Sequence, residues 1–79
     1  MARLKNRLDD LIKNWERENG VRLSILALSK ATGVHRDVLN RYRSNSVTRY
    51  DESAVTAICR FFRVDVNGLL FIDWTDQAS

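Results

Sequence analysis

Six polar side chains lie close together in the segment 35–43, and their types suit hydrogen bonding to nucleic acid. Arginine forms paired hydrogen bonds with guanine O6 and N7, and asparagine forms them with adenine N6 and N7, in the major groove of duplex DNA. Aspartate can accept a hydrogen bond from a cytosine amine or hold a neighbouring arginine in place. The six candidates are His35, Arg36, Asp37, Asn40, Arg41 and Arg43. We expect Arg36 and Arg41 to make the base contacts.

The residues that follow this segment are candidates for contacts with DNA phosphates. Asn45 lies in a small polar loop, and Thr48 and Arg49 come after it, where the chain would leave the groove. Ordinary surface charge is the alternative for Arg43 and Arg49. A solvated helix face is the alternative for Arg36, Asn40 and Arg41.

Other kinds of chemistry find little support in the sequence. His35 and Cys59 are the only residues of their types, and we expect them on separate helices, so no metal-ligand set can form. Cys59 occupies an apolar position, which is typical of a small core residue. No nucleophile and base, and no pair of carboxylates, have a useful spacing in so short a chain. We therefore expect neither an enzyme nor a cofactor.

Length and composition favour one small intracellular domain. The chain has 79 residues, and 13 Lys and Arg against 10 Asp and Glu give a net charge of +3. Six of the 13 basic residues lie between residues 35 and 63 against three acidic ones, and every charged residue after Arg63 is acidic. A single cysteine suits a reducing compartment, and no run approaches the roughly 18 apolar residues of a membrane span. We expect a cytoplasmic, nucleoid-associated protein with no membrane contact.

Apolar spacing predicts an all-α fold of five helices. The sequence contains no proline and three glycines, which disfavours a turn-rich β architecture. Apolar residues at 4, 8, 11, 12 and 15 share one helical face. Good N-caps and helix-ending residues follow at later positions. The predicted helices span about residues 3–18, 25–32, 36–43, 52–62 and 66–71.

Two of these helices meet at a sharp corner. Ser29 is small where the helices cross, and Gly33 tolerates the positive φ that the turn requires. Val34 fills the angle between the helices. Leu39 and Tyr42 anchor the inner face of the second helix, so its outer face carries the polar residues of segment 35–43.

Over about residues 4–71 the chain resembles the lambda-repressor-like (Cro and Xre-type) helix-turn-helix family. One group of matching residues surrounds the corner, and a second follows at the separation that the family shows. The first group is Leu23-Ser24, Leu28-Ser29, Thr32-Gly33-Val34 and Leu39; the second is Val55, Ile58, Cys59, Phe62 and 64–70. The resemblance implies a third helix in the major groove and repression by dimers on palindromic operators.

Four departures from the family pattern stand out. Ser29 replaces the usual alanine, and Asn45 replaces the usual glycine after the third helix. His35 is a poorer N-cap than the usual serine or threonine, which indicates a residue placed for contact. Apolar residues 25–27 replace the polar opening of the second helix and leave apolar surface that needs a partner.

The sequence predicts a DNA-binding domain over residues 1–71, with the helix-turn-helix at about 24–43, and a tail over 72–79. The segment 71–74 alternates apolar and polar residues, which favours a dimer contact through a short strand across a two-fold axis. In the alternative, Trp74 folds back onto the first helix. The main hypothesis is a homodimeric, sequence-specific regulator of transcription, a repressor that binds double-stranded DNA. The rival is an antitoxin or other protein-binding module that uses Ile25, Leu26 or Trp74.

Overall fold

The computed structural model describes residues 3–47 and 49–74. Within these residues five helices and two short strands follow one another. They are β1 (Arg3–Asn6), α1 (Leu8–Asn19), α2 (Ile25–Thr32), α3 (Arg36–Arg43), α4 (Glu52–Phe62), α5 (Val66–Leu69) and β2 (Leu70–Asp73). The compact helical fold is confirmed. The prediction of a strictly all-α fold is wrong, because β1 and β2 pair in a two-stranded sheet.

Helices α2, α3 and α4 span the predicted residues, and side chains cap their first turns. The Ser24 hydroxyl accepts a hydrogen bond from the Ala27 N–H at 3.1 Å. The Asp51 carboxylate likewise accepts one from the Ala54 N–H at 3.2 Å. Each cap provides a partner for an N–H group that the helix itself leaves unpaired. Gly20 ends α1 with a φ of 70°, as the sequence predicted.

The predicted start of the first helix at residue 3 is wrong, because residues 3–6 form β1 and α1 starts at Leu8. Leu4 continues the helical spacing of the apolar residues in α1, which is why the sequence indicated a longer helix. Leu4 nevertheless stays 42% exposed, so burial in the core does not favour a helical conformation at this residue. Pairing with β2 keeps the segment extended. At the end of β1, the Oδ1 of Asn6 accepts a hydrogen bond from the N–H of Leu8, the first residue of α1, at 3.0 Å.

The two strands form an antiparallel β-ribbon, in which Arg3 lies opposite Asp73 and Asn6 opposite Leu70. A 2.6 Å ion pair joins Lys5 and Asp73 across the β-ribbon. The tail strand thus pairs within its own chain. Helix α5 ends at Leu69, two residues before the predicted end, because the chain there turns into β2.

Residues 72 and 73 of the predicted tail are the last two of β2, and Trp74 follows them. Trp74 is 61% exposed, which is contrary to the alternative that buries it on the first helix. The rest of the tail, 75–79, lies outside the described residues.

The core gathers one or more buried side chains from each helix. Leu39 and Tyr42 of α3 belong to the core, so α3 is anchored at its inner face as predicted. Cys59 is also buried there, and this burial raises the pKa of its thiol. The fully or nearly fully buried members are Leu8, Ile12, Leu23, Leu28, Val34, Leu39, Tyr42, Ala54, Val55, Ile58, Cys59 and Leu69.

Across residues 3–47 and 49–74, every helix is too short or too polar to cross a bilayer.

Candidate nucleic-acid interface

The corner between α2 and α3 is held by side-chain hydrogen bonds as well as by glycine. Gly33 adopts a φ of 76°, and its N–H donates to the Ser29 carbonyl at 2.8 Å. The Ser29 hydroxyl donates to the Val34 carbonyl at 2.6 Å. Thr32 Oγ1 donates to the Leu28 carbonyl and accepts from the Val34 N–H. The departure from alanine at position 29 therefore supplies a hydrogen bond that fixes the entry to α3.

Helix α3 is anchored by the side that faces the core. Leu39 is fully buried and Tyr42 is 1% exposed. The ring of Tyr42 meets that of Tyr50 edge to face, with 5.2 Å between the ring centroids. Burial raises the pKa of Tyr42 to about 12, so its hydroxyl stays neutral at any physiological pH. These contacts fix which side of the helix faces outward.

The outward side of α3 carries four of the predicted contact residues. With 3.6 residues per turn, these residues lie on the side opposite Leu39 and Tyr42. All four are exposed: Arg36, Asp37, Asn40 and Arg41. Within the described part of the chain, the side chains of Arg36, Asn40 and Arg41 form no hydrogen bond or ion pair. The structure thus brings two arginines and an asparagine together on one exposed helical surface, with no internal role.

His35 caps α3, although the sequence indicated a poor cap. Its Nδ1 accepts a hydrogen bond from the Asp37 N–H at 3.2 Å. The same nitrogen lies 3.7 Å from a carboxylate oxygen of Asp37. His35 is exposed, so its ring remains next to the outward side of α3. Within the described residues the Asp37 carboxylate forms no hydrogen bond or ion pair with Arg36 or Arg41, so the structure does not support the alternative that it holds a neighbouring arginine.

Arg43 differs from the other candidates because it is paired within the protein. Its Nε and Nη2 donate to one carboxylate oxygen of Asp9 at 3.2 and 3.1 Å. Lys13 approaches the other oxygen of Asp9 at 3.0 Å. The Lys13 hydrogen bond is the largest influence that lowers the pKa of Asp9, and the Arg43 hydrogen bond acts in the same direction against partial burial. Arg43 thereby connects the end of α3 to α1.

We expect this cluster to give a stability contribution that disappears in acid. The pKa of Asp9 is lowered from 3.8 in the folded protein, so the contribution is present above that pH. It is lost as pH falls through the folded-state pKa. Thermal unfolding of Asp9→Asn and wild type at pH 7 and pH 2 should show a difference in Tm that narrows at pH 2. Asp10→Asn is the control, because Asp10 is exposed and the substitution leaves the Asp9 pairs in place. A difference in Tm that is equal at both pH values would contradict the ion-pair interpretation.

The candidates beyond α3 are less uniform. Asn45 is half-buried, and its side chain contacts β1 instead of pointing into solvent. Its φ of 56° is left-handed, the conformation that the family's usual glycine adopts most readily. Arg49 is exposed. Thr48 lies outside the described residues.

Three residues of this region were not predicted from the sequence, because each is distant in sequence from its partner. Asp9 pairs with Arg43, while Asn6 and Arg3 both bond to Asn45. Separations of 34 to 42 residues leave no periodic signal. Residues 3–6 contain one apolar residue, Leu4, and its spacing fits the helical pattern that follows, so the segment has no local strand signal.

Two of the three apolar residues that open α2, Leu26 and Ala27, remain exposed. Ile25 is half-buried and packs against the core, whereas Leu26 is 53% exposed. Within the described residues no three His, Cys, Asp or Glu side chains form a group that could hold a metal ion.

Comparison with known families gives a match over residues 15–72 to the Cro/C1-type HTH DNA-binding domain. The match covers the end of α1, the whole corner, α3, α4, α5 and most of β2, which is more than half of the chain. Searches among curated proteins and among solved structures gave no match. The resemblance to the lambda-repressor-like family is thus confirmed. The chain belongs to the family of Cro/C1-type helix-turn-helix DNA-binding domains.

Proposed function

We propose that this protein is a sequence-specific transcriptional repressor that places α3 in the major groove of double-stranded DNA. The observation that carries the proposal is the outward side of α3, where Arg36, Asn40 and Arg41 have no partner within the described chain. Side chains that stabilise nothing in the free protein are available for a ligand. The major groove is wide enough for one helix, and its base edges match these side chains.

Each residue of the interface has a distinct role in this proposal. Arg36 and Arg41 contact guanine edges, and Asn40 and Asp37 contact neighbouring bases. His35 caps the helix and lies at the groove entrance. Thr48 and Arg49 contact phosphates, which position the domain without selecting a sequence. Arg43 contributes to phosphate attraction through its charge while it stays paired with Asp9.

Repression follows from occupancy alone, since the proposed mechanism needs no reaction and no cofactor. A protein bound at a promoter excludes other proteins from the same DNA. The setting we infer is the cytoplasm, in association with the nucleoid. Phosphate contacts would make the affinity fall steeply as salt rises.

Selection of bound duplexes from a random DNA pool tests the proposal. We expect enrichment of a palindromic site whose two halves are separated by one helical turn, roughly 34 Å. Placing this site over a promoter should lower transcription in the presence of the protein. Recovery of unenriched sequences would remove the claim of specificity.

We further propose that the repressor is a homodimer and that the β-ribbon provides the contact. Leu4 and Ile72 lie opposite each other in the register of the β-ribbon, and they are 42% and 48% exposed. Trp74 follows Ile72 by two residues, which places both on one side of an extended chain. A two-stranded ribbon with an exposed apolar side is marginal in water by itself. A second copy would cover this side and bring two α3 helices to one operator.

Substitution in the β-ribbon should separate dimerisation from folding. We expect Ile72→Asp with Trp74→Ala to weaken the dimer by about thirtyfold or more, the size typical of interface hot spots. Sedimentation equilibrium measures the change, and operator affinity should fall with it. Val21→Ala serves as the control, because Val21 is 58% exposed but lies in the α1–α2 loop. A monomeric wild type that binds its operator at full affinity would contradict the dimer.

The second candidate function is that of an antitoxin or another partner-binding helix-turn-helix module. The exposed Leu26 on α2, together with Trp74, favours it. Co-purification with a small toxic protein, and DNA binding only in its presence, would distinguish this function. Specific binding by the isolated protein would favour the repressor.

A further inference from the structure

Asn6 is the one polar residue among those described that is buried as deeply as the core, with 4% of its surface exposed. It belongs to β1, outside the helix-turn-helix. A buried amide is costly unless its polar atoms are paired, and those of Asn6 have partners on two segments, the start of α1 and the loop between α3 and α4. Its Oδ1 accepts from the Leu8 N–H, which starts α1. Its Nδ2 donates to Tyr50 Oη at 3.3 Å and to Asn45 Oδ1 at 3.1 Å.

Asn45 follows α3 and its C-cap, and it forms more hydrogen bonds with Asn6 than Leu8 or Tyr50 does. Its Oδ1 also accepts from the Asn6 backbone N–H at 2.8 Å, and its Nδ2 donates to the Asn6 carbonyl at 3.4 Å. Its own carbonyl accepts from Arg3 Nη2 at 2.5 Å. Glycine would adopt the φ of 56° with less strain, but it has no amide for these bonds. The side chain therefore accounts for asparagine at this position.

These contacts attach the far end of α3 to the N-terminal strand. The near end is already held by the corner at Gly33 and by the His35 cap. Arg41 belongs to the last turn of α3, close to Asn45, because its carbonyl accepts the Ser46 N–H. Buried Tyr42 and the Arg43–Asp9 pair also hold the last turn of α3, and the Asn6–Asn45 contacts complete this attachment just beyond the helix. A binding group must be held to within about 0.5 Å for productive contacts, so loss of the Asn6–Asn45 contacts is expected to loosen Arg41.

We propose that Asn6 and Asn45 form a clamp that sets the position of α3, and that both are positioning residues for sequence-specific DNA binding. This inference rests on the proposed function of α3 and changes the predicted role of Asn45. Its side-chain oxygen holds β1 instead of contacting a phosphate. Asn6 is buried and acts only through Asn45. Because β1 pairs with β2, the clamp also connects the β-ribbon directly to the recognition helix.

The test compares Asn45→Gly, Asn6→Ala and the double variant with wild type. Asn45→Gly keeps the left-handed turn and removes the clamp. Asn14→Ala is the control, since Asn14 is exposed on α1 and its side chain forms no hydrogen bond with a described residue. Affinity is measured by fluorescence anisotropy for the selected operator and for a scrambled duplex, at a temperature at which circular dichroism shows each variant folded.

We expect each single variant to lower operator affinity by about tenfold, the effect of about one lost hydrogen bond, and to leave the scrambled duplex unaffected. The double variant should be no weaker than Asn45→Gly, because Asn45→Gly already removes all three hydrogen bonds between residues 6 and 45, whereas Asn6→Ala leaves the two that use the Asn6 backbone. A phosphate contact predicts instead an equal loss on both duplexes for Asn45→Gly and no loss for Asn6→Ala. A purely structural role predicts unchanged preference for the operator while the protein is folded. Either result would overturn the clamp.

Two additions keep the test decisive. If Asn6→Ala does not fold, Asn6→Asp keeps the acceptor for the Leu8 N–H and removes the Nδ2 donor; Asn45→Gly decides alone if both fail.

Amide hydrogen exchange in the free protein needs no DNA. The N–H groups of residues 44–46 should exchange about tenfold faster in the clamp variants, while the Gly33 N–H is unchanged. Unchanged exchange at residues 44–46 would refute the clamp even if the proposed DNA site is correct, and a wild type without operator preference would refute only the proposed function.

Discussion

Replacing both Arg36 and Arg41 by alanine is expected to reduce operator binding to the level of non-specific binding. Each arginine at a base edge contributes about 1–3 kcal/mol of discrimination. Because the two are five residues apart on α3, their contributions should be nearly additive, about 2–6 kcal/mol together. Titration of the selected operator measures the loss, and each single variant should relax preference at one base pair.

Loss of charge alone must be separated from loss of base contacts. The control variant Arg17→Ala with Arg60→Ala also removes two positive charges, but from exposed positions on α1 and α4. We expect this control to weaken operator and scrambled DNA to the same small degree. If both double variants lose equal affinity for the operator, α3 does not select the sequence.

The second large effect concerns folding, since Leu39→Ala should remove much of the stability of the domain. Leu39 is fully buried at the centre of the inner side of α3. Truncating a buried leucine to alanine costs about 2–5 kcal/mol, whereas a domain of this length is stable by roughly 4–12 kcal/mol in total. Urea unfolding followed by circular dichroism measures the change. If the loss is near the upper end of about 5 kcal/mol, we expect the urea midpoint to fall to less than about half of the wild-type value.

Asn40→Ala is the matched control on the next residue of the same helix. Asn40 is exposed and its side chain bonds to no described residue, so stability should change by less than about 0.5 kcal/mol. Operator affinity should fall even so. Equal destabilisation by the two substitutions would mean that the inner and outer sides of α3 are assigned incorrectly.

Local sequence signals predicted the corner and its helices well. Ser24 and Asp51 are strong caps, and Gly33 favours a left-handed turn, so the bounds of α2, α3 and α4 follow from neighbouring residues. The buried positions of Leu39 and Tyr42 likewise follow from helical spacing. Each of these signals acts over a few residues, the range in which sequence patterns are informative.

Features that depend on distant partners were not predicted. Leu4 fits a helix by spacing, yet the strand at residues 70–73 decides its conformation. Arg43 and Asn45 appeared as surface contacts because their partners, Asp9 and Asn6, are more than thirty residues away. His35 is a different case, because its ring caps α3 through the N–H of Asp37 two residues away, in a geometry that residue preference alone does not favour.

Methylation interference tests the central claim that α3 lies in the major groove. Dimethyl sulfate modifies guanine N7 in the major groove and adenine N3 in the minor groove. We expect guanine methylation within each half-site to block wild-type binding, and Arg36→Ala or Arg41→Ala to become insensitive at one guanine each. Adenine methylation at the same half-sites should have no effect. Interference confined to adenine N3, or an identical guanine pattern in wild type and both variants, would contradict the account.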